Sequence, residues 1–339
     1  MSQTDLRIGV LGVGRIGRMH AELIERQTAG ATVSAVYDVY TEGAEGVGAE
    51  LGARVASSPE DLIGADDVDA VAICSSTDTH IDLLVAAAEA GKAVFIEKPL
   101  SLDLAVVDRG VGAVEAAGIP VQVGFNRRFD ASHRAVRDRV LAGEVGDVQM
   151  VRITSRDPAP PPIEYIEVSG GIFLDMTIHD FDMARFVTGS EVVEVYATGA
   201  VMVDEAIGDA GDLDTVVIVM THENGAITTI DNSRQAVYGY DQRVEVFGSA
   251  GLASSDNPGV NTTTLRTAAG SSGSTIPYFF LDRYIPSYLA EWSDFVAMVT
   301  DGAPSPVTVH DGRAPLIIGL AAWRSHREGR PVETAEITA

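Results

Sequence analysis

Residues 6–124 alternate short apolar runs with longer segments of helical periodicity. The apolar runs are continuous rather than alternating, which is typical of strands buried on both faces of a parallel sheet. They lie at Leu6–Leu11, Thr32–Tyr37, Ala70–Ile73, Ala93–Ile96 and Val121–Val123. Helical patterns separate them at Ile16–Glu25, His80–Ala90 and Leu104–Ala117. This order predicts an α/β domain over residues 1–125, a doubly wound parallel sheet with helices on both faces.

The pattern changes after Asn126, where strands begin to follow one another directly. Strand candidates lie at Val148–Ile153, Val192–Val203, Asp214–Thr221, Ala226–Asn232 and Gln242–Phe247. Helical segments lie at Ala131–Ala142, Thr177–Val187, Tyr284–Val299 and Asp311–Arg327. Asn224-Gly225 separates two of the strands and is a hairpin signal, because both residues tolerate positive φ. Residues 126–339 therefore predict an α+β domain with a mostly antiparallel, open-faced sheet.

An open-faced sheet has one face covered by helices and needs a cover for the other. A second copy of the chain is the usual cover, so we expect a homo-oligomer that associates through this face. The pattern alone does not give the number of subunits.

Composition excludes several classes of function. The 339 residues carry 49 acidic and 24 basic side chains, a net charge of −25, which repels nucleic acid and anionic membrane surfaces. The single cysteine, Cys74, excludes a disulfide framework and a multi-cysteine zinc site. The sequence has no apolar stretch near the ~20 residues of a membrane span, and its start lacks the features of a signal peptide. We expect a cytoplasmic protein.

A glycine motif follows the first predicted strand and opens the first helix. In Gly12-Val-Gly14-Arg-Ile-Gly17 the glycines allow a tight turn and a close approach of the backbone to a pyrophosphate at the helix N-terminus. Asp38 ends the second strand, where an acid can accept hydrogen bonds from the adenine-ribose hydroxyls. No Arg or Lys lies within residues 36–40 to receive a 2′-phosphate. The pattern indicates NAD rather than NADP.

Candidate chemistry lies in two further stretches. Glu97-Lys98-Pro99 ends the fifth strand, at the sheet edge where such folds bind ligands. Asp175 and His179 are four residues apart, a spacing that puts both on one face of a helix or of its first turn. A carboxylate beside an imidazole suits a general base near neutral pH. The alternatives are a surface lysine paired with Glu97 and a core histidine satisfied by a nearby acid.

These residues carry a resemblance. Glu97-Lys98-Pro99 together with Asp175 and His179 resembles the glucose-fructose oxidoreductase, inositol dehydrogenase and rhizopine-catabolism superfamily. Four longer stretches are more specific and are similar to the bacterial inositol 2-dehydrogenases. They are Gly124–Asp130, Ser155–Pro161, Asp175–Arg185 and Tyr238–Phe247. The resemblance runs from the first strand to the last helices.

The resemblance implies a Rossmann domain followed by a substrate-binding and oligomerisation domain, assembled as a tetramer. The implied reaction is the NAD-dependent oxidation of one ring hydroxyl of myo-inositol to a ketone, with Lys98, Asp175 and His179 as catalytic residues. His179 would take the hydroxyl proton, Asp175 would hold and charge-balance His179, and Lys98 would stabilise negative charge that develops on the substrate oxygen.

Further residues are assigned to binding. The cofactor-binding residues are Gly12, Gly14, Arg15, Ile16, Gly17, Asp38, Ser76, His80 and Glu97. The residues that match polyol contacts in relatives are Arg128, Asp157 and one of Tyr238 or Tyr240, although the arginine and the tyrosines are equally consistent with packing. No metal is expected, because Asp175 and His179 are too few ligands for a metal site.

Rival functions remain on the same fold. One is the oxidation of another cyclic polyol or aldose, such as scyllo-inositol, D-chiro-inositol or glucose, since loops set the substrate and the motifs do not. Another is a non-catalytic NAD-binding sensor, which should have lost Lys98 or His179. A scaffolding protein would leave the whole set of motifs unexplained.

Overall fold

The computed structural model of the protein describes residues 5–339. The chain forms two compact units. The first contains residues up to Asn126 together with Ser287–Ala314, and the second contains Arg127–Pro286 and Pro315–Thr338. Every helix within the described range is too short or too polar to cross a lipid bilayer.

Residues 287–314 belong to the first unit, whereas the sequence pattern predicts a second domain over the whole of residues 126–339. Buried hydrogen bonds hold them there. The indole N–H of Trp292 donates to Nδ1 of His20 at 2.9 Å. The side-chain amide of Gln122 donates to the carbonyl oxygen of Glu291 at 3.0 Å.

The first unit is built on a six-stranded sheet. Its strands are β1 (Leu6–Leu11), β2 (Ala31–Tyr37), β3 (Arg54–Val55), β4 (Ala70–Ile73), β5 (Ala93–Glu97) and β6 (Val121–Gly124). The helices among them are α1 (Arg15–Gln27), α2 (Thr41–Leu51), α3 (Pro59–Ile63), α4 (His80–Glu89) and α5 (Leu104–Ala117), with a 3₁₀ turn at Thr77–Thr79. All pairings are parallel in the order β3-β2-β1-β4-β5-β6. This is the Rossmann strand order, and it confirms the predicted doubly wound sheet.

A 3₁₀ turn at Asn126–Phe129 spans the boundary between the units in sequence, and most of the remaining elements belong to the second unit. Its strands are β7 (Val148–Arg156), β8 (Val192–Ala200), β9 (Thr215–His222), β10 (Ile227–Ser233), β11 (Asp241–Gly248), β12 (Leu252–Ser255), β13 (Thr264–Thr267), β14 (Gly270–Gly273) and β15 (Val332–Glu333). The helices are α6 (Ala131–Leu141), α7 (Ile163–Ile166), α8 (Ile172–Asp175), α9 (Ile178–Thr188), α10 (Glu205–Asp209), α11 (Phe280–Thr300) and α12 (Val309–Glu328), and a 3₁₀ turn follows at Thr334–Glu336. The unit boundaries fall inside α11 and α12, at Pro286 and Pro315.

Seven strands form the main sheet of the second unit, in the order β12-β11-β7-β10-β9-β8-β15. Only the central pair β7–β10 is parallel, and the other pairings are antiparallel. The predicted hairpin is present between β9 and β10, where Gly225 has φ +84°. The prediction of a mostly antiparallel sheet is confirmed.

The two faces of this sheet differ. In β9 the side chains of Val216, Ile218 and Met220 are buried in the core, which includes residues of α6, α9 and α12. Their neighbours Val217 and Val219 are 47% and 38% exposed. Exposed apolar side chains also form a row across four adjacent strands, because the register aligns Leu252, Phe247, Met150 and Ile227.

Candidate active site

The glycine turn after β1 is required partly by the packing of the chain itself. Gly12 has φ +87°, and a Cβ at this position would lie 2.6 Å from the backbone of Ser75. A Cβ on Gly17 would collide with the carbonyl oxygen of Gly12. Gly14 is different, because a Cβ there would meet no protein atom within 4 Å. Open space beside Gly14 is what a bound pyrophosphate requires.

The N-terminus of α1 fits an anion. Gly14 is its N-cap, no side chain caps the first turn, and no acidic residue lies in that turn. Its first N–H groups and the helix dipole therefore remain available to a negatively charged group. Arg15 is exposed and Ile16 is half-buried in this turn.

Asp38 is held in place by the backbone. Its Oδ2 accepts a hydrogen bond from the N–H of Val13 at 2.7 Å, and its Oδ1 accepts one from the N–H of Tyr40 at 2.9 Å. Each carboxylate oxygen keeps a second lone pair, so the group can also accept ribose hydroxyls. The adjacent Val39 is 80% exposed and uncharged, and it offers nothing to balance a 2′-phosphate.

Ser76 and His80 follow β4. Ser76 is exposed, whereas His80 is fully buried. Nδ1 of His80 lies 2.9 Å from the carbonyl oxygen of Pro99, and Nε2 lies 3.1 Å from that of Ser75. Burial lowers the pKa of His80. His80 thus joins the loops after β4 and β5, and both ring nitrogens face the protein rather than a cofactor.

A chain of hydrogen bonds fixes Glu97. Because Trp292 donates to Nδ1 of His20, the proton of that imidazole is on Nε2, which donates to Oε1 of Glu97 at 2.9 Å. The other oxygen of Glu97 accepts the backbone N–H of Lys98 at 3.1 Å. Both carboxylate oxygens of Glu97 are therefore hydrogen-bonded. The half-buried Lys98 follows this fixed residue directly in the chain.

In the second unit, Asp175 and His179 do not share a continuous helix, which corrects that part of the sequence analysis. Asp175 is the last residue of α8, and His179 lies in the first turn of α9 after a break at Met176 and Thr177. The hydroxyl of the buried Thr177 donates to the side-chain oxygen of Asn232 at 2.6 Å. This tertiary bond anchors the break, and residue spacing cannot predict it. Asp175 and His179 are both half-buried.

Arg127 is the centre of a buried polar cluster. Its guanidinium donates to Oδ1 of Asp180 at 2.7 Å, to the hydroxyl of Ser155 at 3.0 Å and to that of Tyr240 at 3.3 Å. The other carboxylate oxygen of Asp180 accepts the side-chain amide of Asn232 at 2.8 Å. A buried charge is tolerated when it is paired and hydrogen-bonded in this way.

Asp157 lies beside this cluster with a half-buried carboxylate. Burial and the charge of Asp175 raise the pKa of Asp157 to about 6. The cations Arg127 and Arg234 oppose that rise in its pKa. Within residues 5–339 the carboxylate accepts no hydrogen bond, so both oxygens remain available to a hydroxyl-rich ligand.

Two residues assigned to the substrate by sequence have other partners. The buried Arg128 makes a two-point salt bridge with Asp182, at 2.8 and 2.6 Å. Tyr238 is 52% exposed, and its hydroxyl donates to Asp241 at 2.6 Å. Arg127, the neighbour of Arg128 in the 3₁₀ turn, is among the residues whose charges act most strongly on Asp157. Of the two tyrosines, the buried Tyr240 joins the cluster.

The remaining reactive groups do not suggest other chemistry. Burial and the nearby charges of Glu97 and Glu291 raise the pKa of the Cys74 thiol, which makes it a poor nucleophile at neutral pH. In the part of the chain that the structure describes, no three His, Cys, Asp or Glu side chains come together as metal ligands.

The family model for the oxidoreductase family with an NAD-binding Rossmann fold matches residues 6–125. The model for the GFO/IDH/MocA C-terminal domain matches residues 133–254. The myo-inositol 2-dehydrogenase of Thermotoga maritima is 50% identical over 333 residues, which are 98% of this chain and 99% of that protein.

Solved structures are similar over the same length. The scyllo-inositol dehydrogenase of Lactobacillus casei with bound NAD(H) and scyllo-inositol is 30% identical with a TM-score of 0.92, covering 98% of this chain and 100% of that one. The myo-inositol dehydrogenase of Lactobacillus casei in complex with NAD(H) and myo-inositol is 27% identical with a TM-score of 0.88, covering 99% and 98%. The chain therefore belongs to the GFO/IDH/MocA oxidoreductase family, and residues 6–125 form the NAD-binding Rossmann domain of that family.

Proposed function

We propose that this protein is an NAD-dependent inositol 2-dehydrogenase that oxidises one ring hydroxyl of myo-inositol to a ketone. The observation that carries the proposal is the pair of half-buried carboxylates Asp157 and Asp175 backed by buried arginines, in a chain whose other unit binds NAD. Carboxylates of this kind accept hydrogen bonds from the hydroxyls of a neutral polyol. The similarity to inositol dehydrogenases over nearly the whole chain supports the same substrate class.

The first unit would hold the cofactor mainly through its backbone. The pyrophosphate would lie against Gly12, Gly14 and the N-terminus of α1, and Asp38 would accept the adenine-ribose hydroxyls. Bound NAD supplies the acceptor for the hydride that leaves the substrate carbon. We place the enzyme in the cytoplasm, where NAD is available. Comparable kcat/KM values with NAD and NADP would contradict the role of Asp38.

The proposed catalytic residues are Lys98, Asp175 and His179. His179 takes the proton of the reacting hydroxyl as the C–H bond breaks and the carbonyl forms. Asp175 orients the imidazole and balances the charge it gains. Lys98 donates a hydrogen bond to the substrate oxygen and stabilises the negative charge that develops on it.

Substrate binding is assigned to Asp157, Arg127 and Tyr240. Above pH about 6 the carboxylate of Asp157 is ionised and can accept hydrogen bonds from two neighbouring ring hydroxyls. Arg127 contributes positive charge beside it, and Tyr240 is fixed by Arg127. Arg128 and Tyr238 would act on the substrate only indirectly, through the salt bridge of Arg128 with Asp182 and the hydrogen bond of Tyr238 to Asp241.

A second candidate is the oxidation of a different cyclic polyol, which is favoured by the similarity to a scyllo-inositol dehydrogenase. The test is the rate of NADH formation from myo-inositol, scyllo-inositol, D-chiro-inositol and glucose. We expect the highest kcat/KM with myo-inositol. A higher value with another substrate would replace it, and no turnover with any of them would favour a non-catalytic NAD-binding protein.

We further propose that the exposed face of the large sheet joins subunits in a homo-oligomer, with a tetramer expected. The row of Leu252, Phe247, Met150 and Ile227 is apolar across four strands, and exposed patches of this kind mark interfaces. Light scattering should return a multiple of the 35.7 kDa chain mass. The variant Val219→Lys should shift it toward the monomer, and a monomeric wild type would contradict the proposal.

A further inference from the structure

Arg234 directly follows β10, and its side chain is fully buried. Its guanidinium bridges two carboxylates, with Nη1 at 3.4 Å from Oδ2 of Asp175 and Nη2 at 3.1 Å from Oδ2 of Asp212. The backbone N–H of Arg234 donates to the carbonyl oxygen of Asp214 at 2.8 Å and fixes where the side chain starts. A buried guanidinium requires such partners, so its position depends on both acids.

Asp212 connects this bridge to the helix that carries Asp175. Its Oδ1 accepts the N–H of Ile172, the first residue of α8, at 2.8 Å. Gly171 leaves the space for that contact, since a Cβ on it would lie 2.6 Å from the same oxygen. The start of α8 is therefore fixed by Asp212 and its end by Arg234, which holds Asp175.

Asp175 is restrained from its other side as well. Its Oδ1 accepts the hydroxyl hydrogen of Tyr165 at 2.8 Å, while Oδ2 faces Arg234. Both oxygens thus have partners that set the plane of the carboxylate. Rotation of this carboxylate would cost the contact with Arg234.

The bridge is not the arrangement that stability alone would favour. Within residues 5–339 the buried Nε–H of Arg234 finds no acceptor, and an unsatisfied buried donor carries a cost. Two acids and one arginine also leave this group with excess negative charge. Replacing buried ion pairs by apolar side chains is often neutral or stabilising, so the retained charge points to a role in the site.

Arg234 also acts on the neighbouring carboxylate. The charged groups that act most strongly on Asp157 are the acids Asp175 and Asp180 and the cations Arg127 and Arg234. The two arginines favour the ionised form of Asp157, whereas the two acids disfavour it. Loss of the cation at 234 must therefore raise the pKa of Asp157.

We propose that Arg234 is a positioning residue of the reaction, which together with Asp212 fixes the carboxylate of Asp175 in the orientation that serves His179. Being fully buried, it acts through Asp175 and Asp157 rather than by touching the substrate. This inference rests on the proposed function and on the roles it gives to these two acids.

The test compares Arg234→Lys, Arg234→Gln and the double variant Arg234→Gln with Asp212→Asn. In the double variant one positive and one negative charge are removed together, which protects folding if Arg234→Gln alone is unstable. Initial rates with myo-inositol and NAD are measured from pH 5.5 to 9, and NADH binding is measured by fluorescence. Thermal melting identifies the variants that fold.

Arg234→Gln and the double variant should lose about 10²-fold in kcat, the usual effect of a misplaced catalytic group. NADH affinity should be unchanged. The acid limb of the kcat/KM profile should move to higher pH in Arg234→Gln, and by less in the double variant, because Asp212→Asn removes a negative charge as well. Arg234→Lys keeps the charge, so its acid limb should stay in place. Its kcat should still fall, because an ammonium group does not reproduce the planar fork that bridges two acids.

A folded double variant with the wild-type kcat would overturn the proposal, as would an Arg234→Lys profile identical to that of Arg234→Gln. The wild-type protein is measured in the same assay, so that failure of the role proposed for Arg234 can be distinguished from failure of the proposed function. A wild type that forms no NADH from any cyclic polyol contradicts the function itself. An active wild type with unmoved variants contradicts only the role of Arg234.

Discussion

The two units hold their candidate functional groups by different physical means. In the first unit the turn from Gly12 to Gly17 depends on the absence of side chains, and Asp38 is fixed by backbone N–H groups. In the second unit charged side chains fix one another, as Asp180 fixes Arg127 and Arg234 fixes Asp175. A site made by backbone fails when a side chain is added, whereas a site made by buried ion pairs fails when one charge is removed.

This difference suits the two proposed tasks. A dinucleotide is bound through its phosphates and ribose, for which backbone donors and one carboxylate suffice. Proton transfer needs groups whose charge and orientation are controlled, and only side chains provide that. Substitutions of the backbone-built groups should therefore affect cofactor binding, and substitutions of the charged side chains should affect turnover.

Among the groups of the first unit, the largest effect on turnover is expected for Lys98→Ala, which removes a charged side chain. Turnover should fall roughly 10²- to 10³-fold, as when a donor to a developing oxyanion is removed. NADH affinity should stay unchanged, because the groups proposed to hold the pyrophosphate are elsewhere.

Lys92→Ala is the matched control, since the ammonium group of Lys92 donates to the carbonyl oxygens of Ala65 and Val68. It should affect stability and leave turnover intact. Near-native turnover in Lys98→Ala, or lost NADH binding, would contradict the assigned role.

A smaller effect is expected from two glycine variants. Gly17→Ala should lower the free energy of unfolding by roughly 1–3 kcal/mol, because its Cβ collides with the carbonyl of Gly12. Gly14→Ala should leave stability unchanged and weaken NADH binding, because its Cβ enters the space beside the helix N-terminus. Thermal melting measures the stability of each variant, and titration with NADH measures its cofactor affinity. If both variants changed stability and NADH affinity to the same extent, Gly17 could not be assigned to packing and Gly14 to ligand binding.

The smallest effect is expected for Asp157→Asn. Since the pKa of Asp157 is about 6, its ionised form accumulates as pH rises through 6, and kcat/KM should rise with it. In Asp157→Asn the amide cannot ionise, so only His179 can still contribute to the rise of kcat/KM with pH. The acid limb of the kcat/KM profile should therefore become shallower. At pH 8 kcat/KM should fall by a few-fold. An unchanged profile would exclude Asp157 from substrate binding.

The sequence predicted the backbone-built features well because they follow from local rules. Glycines at fixed offsets between a strand and a helix specify a turn, and the acid after β2 is likewise local to the strand end, where its carboxylate accepts the N–H of Val13. The continuous apolar runs also predicted five of the six strands of the parallel sheet nearly to their observed ends, and only the two-residue β3 was not predicted.

Features that depend on tertiary contacts could not be predicted in this way. Arg127 and Arg128 are adjacent and chemically identical, and only the folded structure shows that Arg127 pairs with Asp180 whereas Arg128 pairs with Asp182. Arg234 gave no signal, because its two acidic partners are distant in sequence. The hairpin β13–β14 was also missed, since its fully exposed strands have no apolar alternation.

The measurement that tests the account most directly is the pH dependence of inositol oxidation in wild type, His179→Ala, Asp175→Asn and the double variant, with NADH affinity measured in each. If His179 is the base, the rate should rise through its titration and level off. His179→Ala should lower kcat roughly 10²- to 10⁴-fold, remove that titration and retain NADH affinity. The double variant should be scarcely slower than His179→Ala, because the two residues act as a unit. Fully multiplicative losses, or an unchanged pH profile in His179→Ala, would contradict the account.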